Sequence, residues 1–437
     1  MSDLVYVGKR LPRYDGMQHV TAQTRYVGDL SFPGMLHVKA WRSPVPSARI
    51  NGVDVSAAQD LPGVVKVITH RDVPNNIYGF AKDTPVLAAD EVRYLGQEVA
   101  AVAAEDESTA RRAVDLIRVD LEEREPVLDP LEAMKPEAPK VAPGGNLVRF
   151  GDDTVRRIRK GDVDAVFAAD GVVIVEGRFR TQGQEHAPIE TQVSVASTDA
   201  MGRTHIWSVG AAPFFQQPAI AGILGKPQSK VRLIAGVVGG AFGGKNDLHA
   251  DHICAVLSLF TNGRPVRWRW TREEEMRASS CRGAMHIFFE DAVTPEGRIV
   301  GRRVRSVRDG GAYVLTNDYV MSKHAFGVAG PYDIPNVRVD AYAVLTNKRP
   351  ASSMRGFGLY QASFAEQVQM ERVADRLGLD PWRVRLMNAV RDGETTSTGT
   401  TLTSCGLIEV LRALADRTGT SLDPDLAALT STTPRSG

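Results

Sequence analysis

The chain has 437 residues, 43% of them hydrophobic and 24% charged, with a formal net charge of +1. That leaves room for two or three domains with sizeable cores in an ordinary soluble composition. Near-neutrality excludes the basic excess of a nucleic-acid-binding surface, and no apolar stretch approaches the about 20 residues of a membrane span.

Met1-Ser2-Asp3-Leu4 lacks the basic and apolar region of a secretion signal. Residues 34–40 read as a strand after a Pro-Gly turn, residues 64–68 as a second and residues 98–104 as a third. Ser108 is expected to cap the following helix, which aligns Ala110, Ala113, Val114 and Ile117. Five prolines within residues 126–145 mark the best domain boundary. The chain thus divides into a first domain over 1–125, a Pro-rich linker over 126–150, a second domain over 151–415 and a flexible tail over 416–437. The basic run Arg156-Arg157-Ile158-Arg159-Lys160, flanked by Asp152, Asp153, Asp162 and Asp164, reads as a solvated loop.

In the second domain, strands are expected over 171–179 and 192–197 and, as a continuous apolar run, over 231–238. The sequence Gly239-Gly240-Ala241-Phe242-Gly243-Gly244-Lys245 follows. A helix with Ile253, Val256, Leu257 and Phe260 on one face comes next, stopped by Asn262-Gly263. Val266, Trp268 and Trp270 alternate as a strand, and Thr271-x-x-Glu274 is a capping box. Residues 365–377 form an amphipathic helix and Asp380-Pro381 opens another. Cys254, Cys281 and Cys405 lie far apart with no CxxC spacing. That argues against a disulfide framework, a zinc site or iron–sulfur ligation by this chain, and fits a reducing, cytoplasmic setting. His249 and His252 have no third ligand in sight and read as helix-surface or packing histidines.

Between a buried strand and a helix, the glycine loop could receive an anion on free backbone N–H groups. Gly239-x-x-x-x-Gly244-Lys245 matches a phosphate-binding P-loop, but Asn246 stands where such a loop needs a Ser or Thr hydroxyl for Mg²⁺. A tight strand–helix turn and a loop for another cofactor are the other readings. Two more segments bear on the choice: Gly183-Gln184-Glu185-His186, and Ser352-Ser353-Met354-Arg355-Gly356-Phe357-Gly358. Taken alone, the first reads as an edge strand and the second as a surface turn.

In this order and spacing the three segments resemble the xanthine dehydrogenase and aldehyde oxidase family of molybdenum hydroxylases. The resemblance runs from about residue 8 to about residue 400. It begins with Gly8-Lys9-Arg10-Leu11-Pro12-Arg13-Tyr14-Asp15-Gly16 and Tyr26-Val27-Gly28-Asp29-Leu30. It implies an α+β fold, an N-terminal α/β-hammerhead domain followed by the family's first molybdopterin-binding domain.

The same resemblance implies a molybdenum centre held by the pterin's sulfurs, with no direct protein ligand. Gln184 would serve catalysis by hydrogen-bonding the metal's apical ligand. Gly240, Phe242 and Gly243 would surround the centre through backbone N–H groups, and Arg355 would join from the third segment. Phe357 would stack on a flat substrate ring. The implied reaction hydroxylates an electron-poor carbon of a purine- or nicotinate-like heterocycle with oxygen from water.

Two positions depart from the purine enzymes. Asn246 replaces their Glu and can hydrogen-bond substrate but not act as acid or base; Asp247, next to it, is the alternative substitute for that Glu, with capping of the following helix as its expected task. Lys323 falls where they carry a substrate-binding Arg, keeping a cation without bidentate geometry. No later segment resembles the family's second molybdopterin domain with its glutamate base. The resemblance therefore implies a split arrangement like that of nicotinate dehydrogenase. The glutamate would sit on a second molybdopterin subunit, 2Fe-2S clusters and FAD on further subunits, and the pterin would be the cytosine dinucleotide. The alternatives are an aldehyde or aryl-CoA oxidoreductase of the same family and a non-catalytic cofactor storage or assembly subunit.

Overall fold

The computed structural model describes residues 4–422 and 427–430. A seven-stranded sheet runs in the order Val231–Ala235, Thr204–Ser208, Val193–Thr198, Val266–Arg269, Leu36–Arg42, Glu98–Ala104, Val64–Thr69. Its three last strands come from the N-terminal hundred residues and the other four from beyond residue 190. The seam is the parallel pairing of Leu36 with Val266 and His37 with Arg267. Glu98–Ala104 is buried along nearly its whole length, as a strand flanked on both sides must be.

A five-stranded sheet forms the second core, ordered Val173–Thr181, Met285–Val293, Ile299–Gly311, Asn336–Leu345, Arg156–Lys160. Met285, Ile287 and Phe289 alternate inward, which is the period-2 signature of a strand over a core. Helices Asn317–Gly327 and Leu359–Leu377 supply Met321, Ala325, Ala365 and Met370 to the same core. Inside it, the fully buried Arg302 grips Asp291 through two nitrogens at 2.7 and 2.9 Å. Arg302 also reaches the Ala329 carbonyl, and Gln369 donates to Asp291. This satisfies the charges that burial would otherwise penalise. Residues 126–150 lie against this core, burying Val127, Ala133, Val141 and Val148.

Several expected elements shift. The helix Glu107–Leu116 is capped by Asp106, which accepts from the Thr109 N–H, and not by Ser108. The basic run is no loop: Arg156–Lys160 pairs antiparallel with Asn336–Leu345, and Arg159 reaches Asp340. The strand before the glycine loop stops at Ala235, and Val237 is 39% exposed. Helix Leu359–Leu377 begins six residues earlier than its apolar spacing suggests, at Gly358 with φ +95°. The capping box at Thr271, the Asp380 cap and the left-handed Asn262-Gly263 pair stand as expected. Beyond helix Leu407–Thr418, Leu422 and Leu429 pack against Leu386, Ala389 and Ile408. The rest of the expected flexible tail, 423–426 and 431–437, lies outside the described residues.

Candidate functional site

The three singled-out segments converge, held from behind by buried polar groups. His186 donates from Nε2 to the Ser353 carbonyl at 2.8 Å. A Cβ on Gly244 would lie 2.7 Å from the His186 ring, so glycine is required for the loop to pass. Glu190 accepts both the Gly239 N–H (2.8 Å) and the Lys245 ammonium (2.7 Å). Gln192 donates to the Gly244 carbonyl at 3.0 Å. Burial pushes the Glu185 carboxyl up, but contacts with His186, the Ala187 N–H and Ser279 outweigh it and hold it below the usual value.

Lys245 is therefore fully buried, and its Glu190 pairing occupies the cation a P-loop would turn to a phosphate. The loop does not adjoin a helix N-terminus either, because helix Asp251–Leu257 starts six residues after Lys245. Both facts overturn the P-loop reading. Asp247 does not cap that helix; it accepts from the Ser280 (2.7 Å) and Ser352 (3.1 Å) hydroxyls and ties the glycine loop to the third segment.

The front of the cluster is open. Phe242 is 49% exposed, and Gln184 and Arg355 are exposed as well. Gln184 pairs through its backbone with Arg282, whose guanidinium donates to the Arg355 carbonyl at 2.6 Å, and the Arg355 N–H donates to the Phe242 carbonyl at 2.8 Å. Gly240, Phe242 and Gly243 have φ values of +102°, +54° and +102°. Among the described residues, no acceptor takes the N–H groups of Gly240, Ala241, Phe242 or Gly243. Four consecutive N–H donors without protein acceptors are groups that an electron-rich ligand could accept from.

Beside this face lies a cavity of about 960 Å³ lined by Phe80, Phe214, Phe215, Lys82, Asn246 and Thr316, among others. Phe80 meets Phe215 at 5.9 Å and Tyr319 at 6.0 Å, both edge-on. Asn246 holds the Ser353 hydroxyl at 3.2 Å. One helical turn after Tyr319, the exposed Lys323 places its ammonium 6.0 Å from the Phe357 ring centre.

Comparison with known proteins places this arrangement. Residues 148–389 match the molybdopterin cofactor-binding domain, and residues 21–125 match the aldehyde oxidase and xanthine dehydrogenase a/b hammerhead domain. The chain belongs to the aldehyde oxidase and xanthine dehydrogenase family. It is 35% identical to the nicotinate dehydrogenase large molybdopterin subunit of Eubacterium barkeri, over 95% of this chain and 97% of that protein. It is 30% identical to the nicotine 6-hydroxylase large subunit of Paenarthrobacter nicotinovorans, over 94% of this chain but only 52% of that protein. The solved aldehyde oxidoreductase of Desulfovibrio gigas superimposes with a TM-score of 0.88 at 31% identity, over 93% of this chain and 46% of that one. Quinoline 2-oxidoreductase of Pseudomonas putida 86 gives 0.87 at 28%, over 94% and 55%. Most of these relatives are thus spanned over about half their length.

The expected α+β fold of hammerhead followed by first molybdopterin-binding domain is the one observed. Against this family's cofactor, the open N–H groups of the glycine loop fit an oxygen- and sulfur-rich shell, since they are donors left without protein acceptors. Gln184 and Phe242 are both linked to Arg355, the first through Arg282 and the second by the Arg355 N–H, and Gly240 and Gly243 flank Phe242 in the loop. Asn246 lines the cavity and holds Ser353 of the third segment, and the Lys323 ammonium lies 6.0 Å from the Phe357 ring centre. His249 and His252 pack on Trp270 and Tyr78 inside the core rather than on a helix surface. No group of three metal-ligating side chains occurs among the described residues.

Sequence reasoning missed the roles of Glu190 and Asp247 and the aromatic lining of the cavity. Phe80 and Phe215, which line it, stand more than a hundred residues apart, and no local pattern links them. The one available hint was the Phe214-Phe215 pair at the mouth of helix Pro213–Ile223, two large rings left on a polar edge.

Proposed function

We propose that this chain is the molybdopterin-binding subunit of a multi-subunit molybdenum hydroxylase whose substrate is a flat, electron-poor N-heterocycle, nicotinate-like or purine. The observation that carries this reading is the aromatic cavity opening beside Asn246 and the unclaimed donors of the glycine loop. The match to almost the whole of a nicotinate dehydrogenase large chain supports it. Bound at the open face, the molybdenum–molybdopterin group supplies a two-electron oxidising centre.

This chain's own residues then orient and hold. The Gln184 side-chain amide would donate a hydrogen bond to the bound group and so serve as its catalytic partner. The N–H groups of Gly240, Phe242 and Gly243, with Arg355, fix the cofactor's position. Asn246 hydrogen-bonds a ring nitrogen or exocyclic oxygen without titrating. Lys323, which has no salt-bridge partner among the described residues, attracts an anionic substituent, and Phe357 stacks on the ring. The general-base glutamate belongs to a second molybdopterin subunit. Further subunits would carry the 2Fe-2S clusters and FAD as electron acceptors, and the pterin would be the cytosine dinucleotide form. No helix among the described residues is long and apolar enough to cross a membrane, and we place the complex in the cytoplasm.

Turnover of the purified complex with an artificial electron acceptor tests the substrate class. Nicotinate-like acids should be preferred over aldehydes. Lys323→Ala should raise KM for the acid about tenfold, the worth of one exposed charge contact near 1.4 kcal/mol, and leave a neutral analogue unaffected. Preference for aldehydes, or equal effects on neutral and anionic substrates, contradicts the assignment.

A further inference from the structure

Helix Leu359–Leu377 starts immediately after Gly358, the last residue of the third segment, and runs 19 residues. Its inner face is spent on the second core, through Ala362, Ala365, Met370 and Val373. Its outer face carries Tyr360, Phe364 and Val368, which are 49%, 48% and 36% exposed. Positions four apart form one row on a helix, so three large apolar side chains face water in a line. A solvent-facing row normally carries charges, and contiguous apolar exposure marks an interaction surface.

The row is continuous with the candidate site. The Tyr360 ring lies against Gly356 of the third segment and under the Arg282 guanidinium, 5.4 Å from its centre. Phe364 meets Phe179 edge-on at 6.2 Å. Arg372, the next position in the row, sits over Phe179 at 5.1 Å. Arg282 and Arg372 flank the row, and neither forms a salt bridge among the described residues. An apolar row rimmed by two such guanidiniums asks for a partner face that is apolar at its centre and acidic at its rim.

Two relatives of different extent bear on the choice of partner. This chain spans 97% of the nicotinate dehydrogenase large molybdopterin chain, yet 46% of the aldehyde oxidoreductase chain. The remainder of the longer relative has no counterpart within this match. We propose that the Tyr360–Phe364–Val368 row is the docking surface for the second molybdopterin-binding polypeptide, whose facing surface is apolar with an acidic rim. Covering Tyr360 also closes the third segment from water, which strengthens every polar contact at the front of the loops. The inference rests on the two-chain reading above.

The test is coexpression with the neighbouring-gene chain that matches the second half of the aldehyde oxidoreductase, followed by sedimentation to obtain Kd. Phe364 is half exposed, so Phe364→Asp should leave the fold intact, checked by circular dichroism and melting. It should weaken the complex at least about 30-fold, as loss of a buried aromatic anchor does. Arg372→Glu should weaken it less and more strongly at low salt. Val410→Asp, on the 64% exposed face of helix Leu407–Thr418, should change nothing. A wild-type complex that Phe364→Asp leaves equally tight overturns the docking surface while the two-chain reading stands. Self-association of this chain through Phe364 likewise overturns it. If the wild-type chain never binds that polypeptide, the two-chain reading falls and the docking surface falls with it.

Discussion

The rear and the front of the three-segment cluster are built on opposite principles. At the rear, Lys245, Glu190, His186 and Gln192 are buried or nearly so: Glu190 and Gln192 hold the glycine loop, and His186 holds the third segment. At the front, Gln184, Phe242 and Arg355 face solvent, and backbone donors stand without acceptors. The rear fixes where the backbone lies, and the front offers groups to something the chain itself does not contain. Substitutions should therefore separate: rear changes cost stability, front changes cost chemistry.

Lys245→Met should show the largest stability effect. It leaves Glu190 in a mostly buried position without its counter-charge, and breaking such a pair costs about 3 kcal/mol or more. Denaturant unfolding should register that loss with an unchanged slope. A loss below about 0.5 kcal/mol would remove the pair from the rear scaffold.

His324 gives a comparable effect through pH. It is fully buried beneath the third segment, touching the Gly358 carbonyl at 3.1 Å and the Ser306 hydroxyl at 2.9 Å. Burial pushes its pKa from 6.5 down to about 4. The unfolded chain therefore binds the proton first as pH falls. Its contribution is fully present above pH 6.5 and shrinks as pH drops towards 4, by up to about 3 kcal/mol. Melting curves of wild type and His324→Asn should diverge most near neutrality and converge towards pH 4. Parallel curves across that window would break the assignment.

Gln184→Ala should do the reverse. An exposed side chain at the front should cost less than about 0.5 kcal/mol of stability, while turnover of the assembled enzyme should fall about 100-fold, as loss of a preorganised donor does. A destabilised variant with normal turnover would move Gln184 from the front to the rear.

How much of this could be read beforehand follows the same division. The front segments were legible because glycine-hinged turns write their requirements locally: Gly243 needs φ +102° and Gly358 needs +95°. The rear was not legible, because Glu190 and Lys245 meet across 55 residues and their pairing is a product of the seven-stranded sheet. Helix Asn317–Gly327 has buried Asn317 and His324 among its core positions, so no apolar period announces it. Asp247 looked like a helix cap because an Asp just before an apolar helical pattern is a typical cap, whereas tertiary contacts with Ser280 and Ser352 claim it instead. The basic run 156–160 looked solvated because its charges dominate, yet an edge strand satisfies one side of its backbone and leaves those charges outside.

The central claim is that the open front holds the molybdenum cofactor. Elemental and pterin analysis of this chain, purified with the proposed second subunit, tests it most directly. Molybdenum and pterin stoichiometric with this chain are expected, and Gln184→Ala should retain both. A well-folded complex that contains neither would contradict the account.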